Sequence, residues 1–267
     1  MGDTRPDFDR RLKALLKRRL GARSWARVSW QKVYYQAALQ ENQERYFRES
    51  RRRADIDWLR LRRFVLSGFS DAATMQPQPQ QRGSAYEKVQ DQVLGAIRNA
   101  RVALAGPDRP VVVVAHSLGC QVMSNFIWDA QQHNVSAGVF RKDVAAPVGA
   151  RAAEDRFLRL KTMRYFFTSG CNIPIFVAGI ARDDIRPVLV DARGWQFRWH
   201  NYYDPDDVLG WPLKPLCPAY REAVAVDEAI SVGGPISSWT PLSHTEYWDD
   251  DDFLDPLEAA LQSLLER

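Results

Sequence analysis

Apolar and polar residues along this chain follow two periods, one near 3.6 residues and one near two. Phe8, Leu12, Leu15, Leu16 and Leu20 recur at helical spacing and predict a helix from Pro6 to about Leu20. Ala26 to Tyr35 reads as a strand, with Val28, Trp30 and Lys32 set against Ser29 and Gln31. Helical periodicity returns from about Gln36 to Arg51 and from Ile56 to Phe69. The polar, proline-broken run Gln76-Pro77-Gln78-Pro79-Gln80-Gln81 is a loop. Ser84 with Glu87 forms a capping box, and Val89, Val93, Leu94, Ile97 and Leu104 carry the helix it opens to about Ala105.

The run Val111-Val112-Val113-Val114-Ala115 has no polar face. Such a run predicts a strand covered on both sides, as in the middle of a parallel sheet. A helix follows from Leu118 to about Gln132, then strands near Met163–Thr168, Gln196–Tyr203 and Ala223–Val232, with a closing helix over Phe253–Leu265. Strands alternating with helices predict an α/β fold, with a mostly parallel central sheet flanked by helices. The length of 267 residues fits one domain spanning the whole chain.

Composition adds little to that picture but excludes several classes. At 45% hydrophobic and 26% charged, the chain can build a sizeable core. The net charge of +4 is spread, except for Arg10, Arg11, Lys13, Lys17, Arg18, Arg19 and Arg23 on the first helix. That segment is either an ordinary surface helix with a solvated basic face or a patch for anionic lipid. No nucleic-acid motif accompanies it, so no nucleic-acid partner is expected. Cys120, Cys171 and Cys217 are odd in number and lack metal-ligand spacing, which points to a reducing compartment. Apolar stretches such as Ile173 to Ile180 fall short of the roughly 20 residues a membrane span needs. A soluble, cytoplasmic protein without stable membrane insertion, metal or cofactor is therefore expected.

The all-valine strand runs straight into Ala115-His116-Ser117-Leu118-Gly119, and a helix begins at once. In that strand–turn–helix context, a small-x-Ser-x-Gly pattern places a serine on a strained turn, with its hydroxyl projecting from the strand tip. The other reading of Ser117 is a plain cap on the following helix. Val111 to Cys120 resembles the nucleophile elbow of α/β-hydrolase-fold esterases and lipases, some of which carry Ala in place of the first Gly. The resemblance implies Ser117 as nucleophile and a triad in the chain order Ser, acid, His.

Among the four histidines, His116 lies inside the elbow, His133 comes too early and His200 sits within a strand. His244, after a strand and before the last helix, is left as the base. The acid falls in Asn201-Tyr202-Tyr203-Asp204-Pro205-Asp206-Asp207-Val208-Leu209. The resemblance implies an Asp followed one residue later by an apolar pair, which gives Asp206 with Val208-Leu209 the role; Asp204 and Asp207 are rivals. The acidic run Asp249 to Asp252 reads as a helix start.

The resemblance further implies an oxyanion hole built from the Leu118 amide and a donor on an early loop. The opening Met1-Gly2-Asp3-Thr4-Arg5-Pro6 is similar to the tail of a His-Gly-Met-Gly loop without its strand. This implies a domain shortened at its front, with Met1 at the second donor's position; the other reading is a chain that builds that donor elsewhere. The expected substrate is a small-molecule or lipid ester, with Trp195, Tyr202, Tyr203 and Trp211 as candidates for an apolar acyl pocket. A catalytically impaired binding domain, a thioesterase and an acyltransferase fit the same residues.

Overall fold

The computed structural model describes residues 6–55, 57–75, 83–104, 106, 108–132, 138–140, 152–190, 196–232 and 246–266. Its strands β1 (Val111–His116), β2 (Met163–Ser169), β3 (Arg198–Tyr203) and β4 (Val224–Ala229) form one sheet in the order β1-β2-β3-β4. Every neighbouring pair is parallel. The helices are α1 (Arg10–Trp25), α2 (Gln36–Arg53), α3 (Leu59–Thr74), α4 (Ala85–Ala103), α5 (Leu118–Gln132), α6 (Ala152–Leu158), α7 (Ile173–Val177), α8 (Pro218–Ala223) and α9 (Asp251–Leu265). The α/β architecture expected from the alternation of periods is present.

Strand side chains alternate between two cores. Phe166 and Trp199 pack with α4 and α5, whereas Phe167 and Tyr202 pack with α1 and α9. The basic first helix is an integral part of the second core: Leu12, Leu16 and Leu20 are buried. Its charges bind α9, where Arg19 reaches Asp251, Asp255 and Glu258, and the turn before it, where Arg11 pairs with Asp249 at 2.6 Å. The acidic run opens α9 as expected, with the Asp250 carboxylate accepting from the Asp252 amide at 2.8 Å. The capping box of α4 forms with one change. Ser84 Oγ accepts from Glu87 N (3.2 Å), but the Glu87 carboxylate takes the Gly83 amide (2.8 Å).

Two expectations need correcting. Ala26 to Tyr35 is in neither strand nor helix. Its alternation is real, but no described strand lies beside it to complete a ladder. Likewise, β1 stands at the edge of the described sheet, with Val111 to Val114 half-buried, while β2 is the more enclosed strand. The valines require apolar cover on both faces, and they have it. Side-chain pattern says nothing about which backbone lies alongside.

Between α4 and α5 lies a buried carboxylate. Asp129 Oδ2 accepts from Tyr86 Oη (2.8 Å) and Gln90 Nε2 (2.6 Å). Burial raises its pKa from 3.8 to about 6, and the two hydrogen bonds offset only part of that shift. A folded-state pKa above the unfolded one means that the folded protein holds the proton more tightly. Stability from this site is therefore full below about pH 4 and lost as pH rises to about 6. Asp129→Asn keeps an acceptor and removes the charge. It should raise stability at pH 7 by up to about 3 kcal/mol and flatten the pH 4–6 dependence in urea unfolding. An unchanged slope would refute the assignment.

Candidate active site

The site is built at the carboxyl ends of the strands, where parallel α/β sheets place ligands. β1 ends at His116, α5 begins at Leu118, and Ser117 alone makes the turn. Its φ is 52°, in the left-handed region that costs a non-glycine residue about 1–2 kcal/mol. Two backbone bonds hold it there: Ser117 N to Ser169 O at 3.0 Å, and Cys120 N to Ser117 O at 2.9 Å. A helix cap would not need this strain, because N-cap residues normally lie in the β region. At Gly119 an added Cβ would meet the Ala115 Cβ at 4.0 Å and the Tyr35 hydroxyl at 3.9 Å. A methyl therefore fits there, and the pinch is looser than the sequence pattern suggests.

The Leu118 amide opens α5 and has no backbone acceptor among the described residues. It sits in the first turn of a helix, where free N–H groups and the helix dipole favour negative charge. Ser117 itself is fully buried, so its hydroxyl is covered in this conformation.

The loop after β3 separates the three candidate carboxylates. Asp206 is exposed, and its amide donates to Asp204 Oδ1 at 2.8 Å. Asp204 is buried, and its other oxygen accepts from Val232 N at 2.7 Å, so it ties the loop to the end of β4. Asp207 is buried as well: Oδ1 accepts from Leu209 N (3.0 Å) and Oδ2 from the Tyr247 hydroxyl (2.8 Å). The same Tyr247 oxygen accepts from Asp204 N at 2.8 Å. Burial, then the Asp207 charge, pushes the Tyr247 phenol far up, so it stays protonated and donates. Gly210 closes this corner. A Cβ there would stand 2.6 Å from Asp207 Oδ2 and 3.0 Å from Gly170 Cα, so no side chain fits without displacing the carboxylate.

Tyr247 also links the acid loop to the elbow. Its ring lies 5.6 Å from that of His116, and Trp248 lies 5.9 Å from it. The His116 ring turns to β2, with Nδ1 3.1 Å from Ser169 O, and Trp248 Nε1 donates to Ser169 Oγ at 3.2 Å. Ser169, Tyr247 and Trp248 were not singled out by the sequence, since nothing in their spacing marks them. A glycine directly after a strand, Gly170 with φ 51°, was the available signal for a tight turn beside the elbow.

The structure thus brings Ser117, Leu118, Asp204 and Asp207 to one end of the sheet and leaves Asp206 at the surface. His244, Met1 and Trp195 lie outside the described residues. Tyr202 is a core residue, stacked on Phe167 at 6.3 Å, and Trp211 is 46% exposed. His200 is half-buried within β3, where burial and then Arg198 lower its pKa to about 4. The three cysteines are buried and unpaired with one another. Among the described residues no group of His, Cys, Asp or Glu could hold a metal ion, and no helix is long and apolar enough to cross a membrane.

Fold and site define an α/β protein with a parallel sheet and a strained serine between a strand and a helix. Comparison with protein-family models, curated proteins and solved structures finds no significant match to this chain.

Proposed function

We propose that the protein is a serine hydrolase acting on carboxylic esters, with Ser117 as its nucleophile. The observation that carries this reading is the left-handed conformation of Ser117 at the tip of β1. Strain at a non-glycine residue persists where the surroundings over-determine it, and such residues cluster at active sites. His244 takes the hydroxyl proton, Ser117 Oγ attacks the ester carbonyl, and the alcohol leaves with that proton. His244 then draws a proton from water, which attacks the acyl-enzyme and releases the acid. The Leu118 amide faces the oxyanion, a donor worth about 2.7–4 kcal/mol in comparable sites.

Of the three carboxylates, Asp207 is the one we assign to orient His244. Two features support it over Asp206: burial, and the bond to Tyr247. Residue 244 precedes Tyr247 by three positions, so the chain holds it within about 11 Å of Tyr247.

The complete burial of Ser117 favours a second reading, a binding domain on a hydrolase-like scaffold. A fluorophosphonate probe separates the two. The esterase reading expects covalent labelling that maps to Ser117 and vanishes in Ser117→Ala. A folded protein that takes no label supports the binding domain and overturns the esterase.

A further inference from the structure

The site above makes no use of α2 and α3, which together carry a concentrated positive charge. Residues 44–63 hold eight arginines against four acidic residues, an excess as large as the +4 of the whole chain. Arg63 on α3 reaches Glu44 on α2, and Gln43 Nε2 donates to Asp71 Oδ1 at 2.7 Å. The two helices thus pack side by side, and the short turn from Arg53 to Leu59 stands at their shared end. Around it Arg51, Arg52, Arg53, Arg62 and Arg63 are exposed. Glu49 offsets part of this charge, at 3.1 Å from Arg53 and 3.7 Å from Arg52. Arg51 pairs with no acid among the described residues.

Trp58 lies in this turn. It is 76% exposed, the most exposed aromatic side chain among the described residues. Its φ is 57°, in the left-handed region that a bulky residue adopts only under constraint. Arg62 supplies the constraint: its amide donates to Trp58 O at 2.9 Å and its Nε to Asp57 O at 2.8 Å. The chain accepts strain to hold an indole out in water. Val65 on α3 and Tyr46 on α2 are exposed as well. The basic helix α1 differs. Its leucines are buried in the core, and Arg11 and Arg19 are already paired. It presents charge without an exposed large apolar side chain.

We propose that the shared end of α2 and α3 is a docking surface for an anionic lipid membrane, with Trp58 among the headgroups and the surrounding arginines on acidic lipid. Charge selects the occupant first. Residues 1–5, 76–82, 133–137, 141–151, 191–195 and 233–245 carry no net negative charge, so no undescribed stretch of this chain complements the arginines. A second copy brings the same positive excess, and its acids Asp249, Asp251 and Asp255 are engaged by its own Arg11 and Arg19. The apolar groups select next. Single-stranded nucleic acid is bound along a groove of successive stacking aromatics. Here one indole stands at a turn, with aliphatic Val65 on the helix behind it. An indole beside guanidinium groups matches the membrane interface, where the ring enters the headgroup layer and basic side chains gain from acidic lipid.

This inference goes beyond the esterase reading, and its readout is binding by the full chain, not activity. Vesicles of phosphatidylcholine with about one-third phosphatidylserine should co-sediment the protein about tenfold more strongly than phosphatidylcholine alone, and less so as salt rises. Trp58→Gly removes the indole and relaxes the left-handed residue. It should weaken vesicle binding about fivefold without lowering the melting temperature. Arg51→Gln, Arg52→Gln and Arg53→Gln together should weaken it at least tenfold. Lys13→Gln with Lys17→Gln, on α1, should change it by no more than about twofold. Equal binding to both kinds of vesicle would overturn the proposal, as would unchanged binding in either variant of the turn. So would binding lost in the α1 variant alone, or a saturable oligouridylate complex, lost in Trp58→Gly, where vesicles fail.

Discussion

Asp207→Asn should lower ester turnover by roughly 10⁴-fold, whereas Asp206→Asn should leave it within about threefold. An asparagine in place of the orienting carboxylate presents an N–H where the imidazole needs an acceptor. The ring is then held in the wrong tautomer, and the imidazolium formed during attack loses its counter-charge. The two substitutions are neighbours with the same chemistry, so their difference isolates position. Asp206 is exposed, and its side chain holds nothing among the described residues. Asp207 is buried and bonded to Leu209 N and Tyr247 Oη. The amide introduced by Asp207→Asn would keep an oxygen for one of those bonds, and thermal melting would show whether the fold survives. Burst-phase release of nitrophenol from a p-nitrophenyl ester is the measurement. A large loss in Asp206→Asn with Asp207→Asn near normal would reverse the assignment. Losses of similar size in both would mean that neither residue orients the base.

That distinction was not legible in the sequence, and the reason is physical. Elements that depend on local pattern could be read: the valine strand, the turn at Ser117, the caps of α4 and α9, and the aromatic strands β2 and β3. What depends on distant backbone could not. Asp204 is a rival for the catalytic role in the sequence alone, and only the fold brings Val232, 28 residues on, to donate to it. The bond between Asp207 and Tyr247 spans 40 residues with no spacing rule to announce it. The same limit explains residues 26–35. Their alternation fits a strand, but a strand exists only with a paired neighbour, and pairing is a property of the whole sheet. The position of β1 at the edge of the described sheet was hidden for the same reason, because four valines look alike beside one strand or between two.

The second large effect concerns the floor of the site. Trp199→Ala should destabilise the protein by about 3–5 kcal/mol and lower the melting temperature by about 10 °C. Trp199 is fully buried at the start of β3, 5.1 Å from the Phe166 ring and 5.6 Å from that of Tyr220. Its Nε1 donates to Thr168 Oγ1 at 3.0 Å. Removing the indole opens a cavity between sheet and helices that β-strands on either side cannot close by shifting. Trp199→Phe keeps most of the apolar volume but loses the N–H, so it should cost about 1–2 kcal/mol. Val208→Ala, at a side chain 79% exposed beside the acid, should stay within about 0.5 kcal/mol. Thr168 precedes Ser169, whose carbonyl holds the amide of Ser117, so loosening at Trp199 is transmitted to the elbow through a single residue. Fluorophosphonate labelling of Trp199→Ala, well below its melting point, should therefore slow as well. A melting temperature within about 2 °C of the unaltered chain would show that Trp199 does not anchor the core packed against β2 and β3.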